Sequence, residues 1–206
     1  MAMNASTTMS AHKAEACRRL SPIGQKLFRF VEFDDQEELL AEIRKHPIGL
    51  FLIAITGVFI SLTILFATTA LSIGAGNSGV FEQFGSTPQL VLIVFGLLLT
   101  GLGFVATFII GIIYRSNVVF VTNEKIAEVM YVSLFNRRIV QLGIGSVEDV
   151  TVSQKGIFSR IFDYGTLLVE TAGELENCTF TYVPKPNETS QLIIQTHETY
   201  VQKYGN

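Results

Sequence analysis

The chain has 206 residues, a formal net charge of −3, 16% charged residues and a mean hydropathy of +0.41. Soluble domains usually carry about a quarter charged residues, so the balance argues against an ordinary soluble protein; the net charge says little, because its distribution matters more. The two cysteines, Cys17 and Cys178, lie far apart and exclude a disulfide framework; no Cys or His spacing matches a metal site, and no cofactor is implied.

Residues 1–33 read as a mostly disordered, polar tail. Lys13, Arg18, Arg19, Lys26 and Arg29 outnumber the acid among them, Glu15, and Leu20, Leu27, Phe28 and Phe30 are interleaved. Such a segment either rests on an anionic leaflet or is simply solvated. Asp34 and Asp35 then look like helix-start residues. With acids first, bases last and Leu39, Leu40 and Ile43 as an apolar stripe, residues 34–46 are expected to form a short amphipathic helix.

Two runs follow that contain no Asp, Glu, Lys, Arg or His: 49–73 and 90–114. A helix of that length spans roughly 37 Å, enough to cross a hydrocarbon core of about 30 Å with some tilt. Residues 47–115 are therefore expected to form a transmembrane helical hairpin. Arg44, Lys45 and His46 precede the first run and Arg115 closes the second, whereas the connection 74–89 holds no Lys or Arg and a single acid, Glu82. This asymmetry places both termini, and the domain that follows, on the cytoplasmic side. Pro47 and Pro88 stand where each helix opens. Gly57 and Ser61 on the first run, and Gly103, Thr107 and Gly111 on the second, are small residues at four-residue spacing, as close helix packing in lipid requires. Gly101, Gly103 and Ala106 match G-x-G-x-x-A, but a dinucleotide site needs a preceding strand and a solvated helix start. Neither run contains an ionisable residue, which argues for an anchor over an ion pathway.

From Ser116 the pattern changes to alternation. Val119 and Val121 begin one strand, Ile126–Val132 a second, and the segment after Leu134-Phe135-Asn136-Arg137-Arg138 a third that ends near Leu142. Val147–Gln154 reads as a half-buried strand with Val150 and Val152 inward. Lys155–Asp163 is expected to be a loop or one helical turn. Gly165–Thr171 and Asn177–Val183 form a hairpin around Ala172-Gly173-Glu174. Asn187 is placed to cap a last helix, about 188–203, that buries Leu192, Ile193, Thr196, Tyr200 and Val201. The pattern gives an antiparallel barrel or sandwich closed by a helix.

The run Val119-Phe120-Val121-Thr122-Asn123-Glu124-Lys125-Ile126, then Leu134-Phe135-Asn136-Arg137-Arg138, Ile144–Val152, Phe162-Asp163-Tyr164-Gly165-Thr166 and Thr171-Ala172-Gly173, resembles the bacterial PH-like domain family. These are small membrane proteins with paired spans ahead of the domain. The resemblance covers about Ser116–Tyr200, and the spans extend it to most of the chain. It implies a PH-like antiparallel β-barrel with a C-terminal helix over 116–206, a bacterial origin and an inner-membrane location. It brings no catalytic residues.

No catalytic set stands out among the residues. His12 lies in the tail, His46 abuts a span, and His197 falls on the polar side of the last helix; Glu174 and Glu176 flank a turn. No phosphate-binding loop occurs. From Arg115 onward there are eight Lys or Arg against ten Asp or Glu, which argues against a nucleic-acid binder, and any lipid contact must be local. Arg137 and Arg138 on one turn or strand, and Lys155, Phe158 and Arg160 on another loop with Ile161 beside them, are the candidates; the competing reading is a solvated loop with Phe158 in the core. The expected function is a membrane-anchored, non-catalytic module that scaffolds protein assembly, its partners membrane lipids and other membrane proteins or its own copies. An anionic-lipid sensor is the alternative, and an enzyme or transporter component fits less well.

Overall fold

The computed structural model describes residues 20–31, 33, 37–78, 87–172 and 177–205. It divides into two compact units: Gly49–Ile112, and Met1–Ile48 together with Ile113–Asn206.

The first unit is helical. Helix α2 covers Pro47–Asn77 and α3 covers Thr87–Arg115; a shorter helix, α1, precedes them in the other unit. Both outrun the charge-free segments by a few residues, because Gly74–Asn77 and the first turn at Thr87-Pro88 contain nothing that stops a helix. Both are long and apolar enough to cross a membrane, and their most apolar windows are only 6% and 11% buried. A core helix of a soluble protein would be mostly covered; these side chains face outward.

What is covered is small and polar. A Cβ on Gly57 would collide with the Thr107 side chain, one on Gly96 with Thr68, and one on Gly103 would lie 2.6 Å from Ser61 Oγ. A Cβ on Gly111 would meet Leu50, while Gly101 faces open space. The pair thus packs through a seam of small residues that lets the backbones approach. Thr100 and Thr107 hydroxyls turn back onto the carbonyls of Gly96 and Gly103 at 2.8 Å, and Ser72 Oγ donates across the seam to Gln89 O at 3.2 Å.

The second unit holds two antiparallel sheets. In the first, β1 (Leu39–Arg44), β2 (Val118–Thr122), β3 (Lys125–Tyr131) and β4 (Arg137–Gly143) lie in that order; in the second, β5 (Val147–Ser153), β6 (Tyr164–Thr171) and β7 (Cys178–Pro184) do. The ladders do not join into a closed barrel, in contrast to the sequence expectation. Sharply separate sheets arise because β4 passes to β5 through a one-turn 3₁₀ helix, Ile144–Ser146, instead of a continuous bent strand.

Of the short helix expected over 34–46, the start at Asp34 and Asp35 lies outside the described residues, and 39–44 form strand β1 instead. Leu39 pairs with Thr122 and Ala41 with Val121, so Leu40 is an extra residue in a bulge. The bulge breaks the alternation, and Leu39, Leu40 and Ile43 then mimic a helical stripe. β1 pairs with β2 across the whole length of the two long helices, a partner that local pattern does not reveal.

Every residue of β2 is buried, because the first sheet is covered on both faces. On one face Val119, Val121, Ile126 and Leu142 meet Ile144 of the 3₁₀ turn and Val150, Leu167, Val169, Phe180 and Ile193 of the second sheet and last helix. On the other, Val118, Phe120, Ala127 and Val129 are covered by Leu20, Leu27, Phe28 and Val31. The latter belong to the segment read from sequence as a disordered tail; its first nineteen residues lie outside the described residues, but 20–31 are an ordered cover. Here α1 (Pro22–Leu27) is capped by Ser21, whose hydroxyl accepts from Gly24 N at 3.0 Å, with Pro at the first turn. Glu42 of β1 accepts from Ser21 N at 2.7 Å and from the Ser21 hydroxyl. Phe28 stacks on Phe33 at 4.2 Å and meets Phe120 edge-on at 5.8 Å.

A five-residue helix, α4 (Ile157–Ile161), links β5 to β6, and α5 (Pro186–Tyr204) ends the fold. The last helix starts with Pro186 at its first turn, not behind Asn187; its cap is Lys185, held at φ 46° without a side-chain bond. It buries Ser190, Ile193 and Thr196, with Leu192, Tyr200 and Val201 half-buried. His197 is not on a purely solvated side: its Nδ1 lies 2.8 Å from Ile144 O.

Candidate functional site

β1 ends at Arg44 and β2 begins at Val118, and these two residues face each other across the β1–β2 ladder. Lys45-His46 and Ser116-Asn117 are the only residues between strands and long helices. Around this end of the unit the structure gathers three groups of side chains.

The first is an aromatic collar. His46 and Tyr164 stack at 5.5 Å, Tyr164 and Tyr182 at 5.7 Å, and Tyr114 meets Tyr182 edge-on at 5.9 Å. Tyr114 Oη donates to His46 O at 2.7 Å, and His46 N donates to Tyr182 O at 2.6 Å. Tyr182 has φ 57°, a conformation costly for a bulky residue. It sits where Leu167 pairs with Phe180 but Gly165 pairs with Val183, so the strand bulges there. The bulge turns the Tyr182 carbonyl toward β1.

The second group is the polar end of the inter-sheet core. Glu128 is 9% exposed on β3. Burial pushes its carboxyl pKa up, opposed by the positive charges of Lys45 and Arg138. Burial likewise pulls the Lys45 ammonium pKa down, opposed by Glu128. The two shifts agree: desolvation outweighs the attraction between them. Asn117 Oδ1 accepts from Tyr131 N at 2.8 Å, closing the adjacent strand end. A small cavity of about 10 Å³, lined by Arg44, Lys45, Asn117, Glu128 and Thr181 among others, has room for a single water. Arg44 Nε is buried there without a hydrogen-bond partner among the described residues.

The third group is a pair of outward-facing loops. The β3–β4 turn exposes Val132 by 59%, Leu134 by 44% and Phe135 by 99%; α4 and the residue after it expose Ile157, Phe158, Ile161 and Phe162 by 75, 68, 66 and 45%. Both loops lie at the collar end. Tyr131, next to Asn117, pairs with Arg137 across the first turn, and Ser153 and Tyr164 of the collar end bracket the second.

Of the residues singled out from sequence, Arg137 and Arg138 are exposed at the start of β4, where the first loop ends, and Lys155, Phe158 and Arg160 are exposed on the second. Phe158 is not a core residue; it stacks on Phe162 at 6.5 Å at the surface. The Arg137 guanidinium lies 3.6 Å from the Phe30 ring centre, which ties the first loop to the N-terminal cover. Sequence reasoning set Ile161 beside Phe158 but missed the collar, Glu128, and the apolar companions Val132, Phe135 and Ile157. Leu134-Phe135 between Ser133 and Asn136 was the available signal: an apolar pair inside a turn.

Among solved structures, a DUF1696 family protein with a pleckstrin-homology domain from Shewanella loihica is similar at 10% identity and a TM-score of 0.33, over 39% of this chain and 70% of that one. No curated protein matches. A family model described as the bacterial PH domain matches residues 39–192. That match opens on the first residue of β1, contains both long helices and ends inside α5: the chain belongs to the bacterial PH domain family.

Proposed function

We propose that this protein is a non-catalytic scaffold, anchored by α2 and α3 in the bacterial inner membrane with its PH-like domain and both termini in the cytoplasm. The observation that carries this reading is the connection. β1 and β2 are paired neighbours, and each runs into a long apolar helix through a two-residue link. A link of two residues reaches about 7 Å at most, so the domain is tethered close to the ends of the two helices. Fixing it there raises its effective concentration for membrane partners. Positive charge flanking the helices and its absence from 74–89 support the orientation.

The partners are other membrane proteins or further copies of the chain. The outer edge of β4 supports this, since among the described residues β4 ends its sheet and leaves one side for a partner strand. Two measurements test the reading. Reporter fusions after Asn206 and within 74–89 should give cytoplasmic and external signals respectively. A photo-crosslinker at exposed Gln141 on β4 should give discrete membrane-protein adducts in cells; uncrosslinked protein throughout would reject the scaffold.

A further inference from the structure

We propose that the β3–β4 turn and α4 together form a seat that inserts into the headgroup layer of an anionic bilayer. This rests on α2 and α3 being membrane spans. The strongest sign is α4 itself. Its one buried side chain is Ser159, whose hydroxyl donates to Gly156 O at 2.7 Å, while Ile157, Phe158 and Ile161 point outward. That is the inverse of a helix facing water, and matches one lying at an apolar boundary. Phe135 at the tip of the other loop is 99% exposed.

Charge identifies the occupant. The domain carries more acid than base, yet residues 132–138 and 153–162 hold Arg137, Arg138, Lys155 and Arg160 and no acid at all. Apolar tips ringed by cations complement anionic lipid: the apolar groups leave water while the basic groups remain among phosphates. Location agrees. Both loops stand at the end where the chain passes to the spans, beside a collar of Tyr114, Tyr164 and Tyr182, and tyrosines favour the membrane interface.

The test uses the full chain in nanodiscs, with Cys17 and Cys178 replaced and an environment-sensitive dye placed through F135C, I161C, E148C or L98C. Glu148 is exposed at the start of β5, at the opposite end of the domain from the seat. In phosphatidylglycerol nanodiscs, dyes at 135 and 161 should shift to the blue and be quenched several-fold by spin-labelled lipid, and the dye at 148 should stay aqueous. Replacing Arg137, Arg138, Lys155 and Arg160 with Ala, or using phosphatidylcholine alone, should reduce the quenching. Quenching at 98 but none at 135 and 161 overturns the seat while leaving the spans intact. No quenching at 98 overturns the membrane reading itself. Equal quenching in both lipids overturns the anionic specificity.

Discussion

The His46 N–H donates to the Tyr182 carbonyl at 2.6 Å, and Tyr182 holds φ 57° to present it. One strained residue therefore joins β7 to the last residue before α2. Its ring stacks on Tyr164 and receives the edge of Tyr114, which offsets the strain.

Substitutions at Tyr182 should separate strain from stacking. Y182A keeps the left-handed backbone and loses the rings' contacts, so it should destabilise by about 2–4 kcal/mol. Y182G loses the same contacts but accepts positive φ freely, and should be about 1 kcal/mol more stable than Y182A. Thermal unfolding of the full chain in detergent gives the order. Y182A more stable than Y182G would mean the backbone is not strained there.

The N-terminal cover should be structural. Phe28 is buried against Phe33 and Phe120, and F28A should cost about 3–5 kcal/mol. F30A, which loses only a half-exposed ring beneath Arg137, should cost much less. Urea unfolding of both variants in detergent makes the comparison. A solvated tail would show neither loss.

Small residues in the helical seam should resist enlargement. G57V drives a side chain into Thr107 and should destabilise the helix pair by about 1–3 kcal/mol. G101A meets nothing within 4 Å and should be neutral or slightly stabilising, since alanine is the better helix former. Thermal stability of each variant in micelles distinguishes the two positions.

Glu128 should make stability fall as pH rises. Its native pKa lies above the unfolded value of 4.5, so between those two values the native state binds more protons than the unfolded state. Stability is therefore highest below that window and is lost through it. E128Q carries no titrating group and should flatten the midpoint-against-pH curve from 4.5 upward. Lys45 acts at the alkaline end with the opposite slope, because its native pKa is lowered from 10.5 and the unfolded state binds more protons there. Parallel curves for native protein and E128Q would show that Glu128 is not desolvated.

The amino-acid sequence determined the two long helices, because a charge-free run of such length admits one structure in lipid. It also determined β3, β5, β6, β7 and the last helix, whose periods are set by neighbours a few residues away. Val119 and Val121 read as the inward residues of an alternating strand, whereas Val118-Val119-Phe120-Val121 is apolar throughout and is buried on both faces. Tertiary structure alone decided the rest. It recruited Leu20, Leu27, Phe28 and Val31 to cover that second face, although they lie scattered among polar residues. It made 39–44 a bulged strand by giving it β2 as partner across two intervening helices. And it alone placed Phe135 and Phe158 outside: an apolar residue in a turn reads the same whether it is packed or presented, and only the surrounding surface decides which.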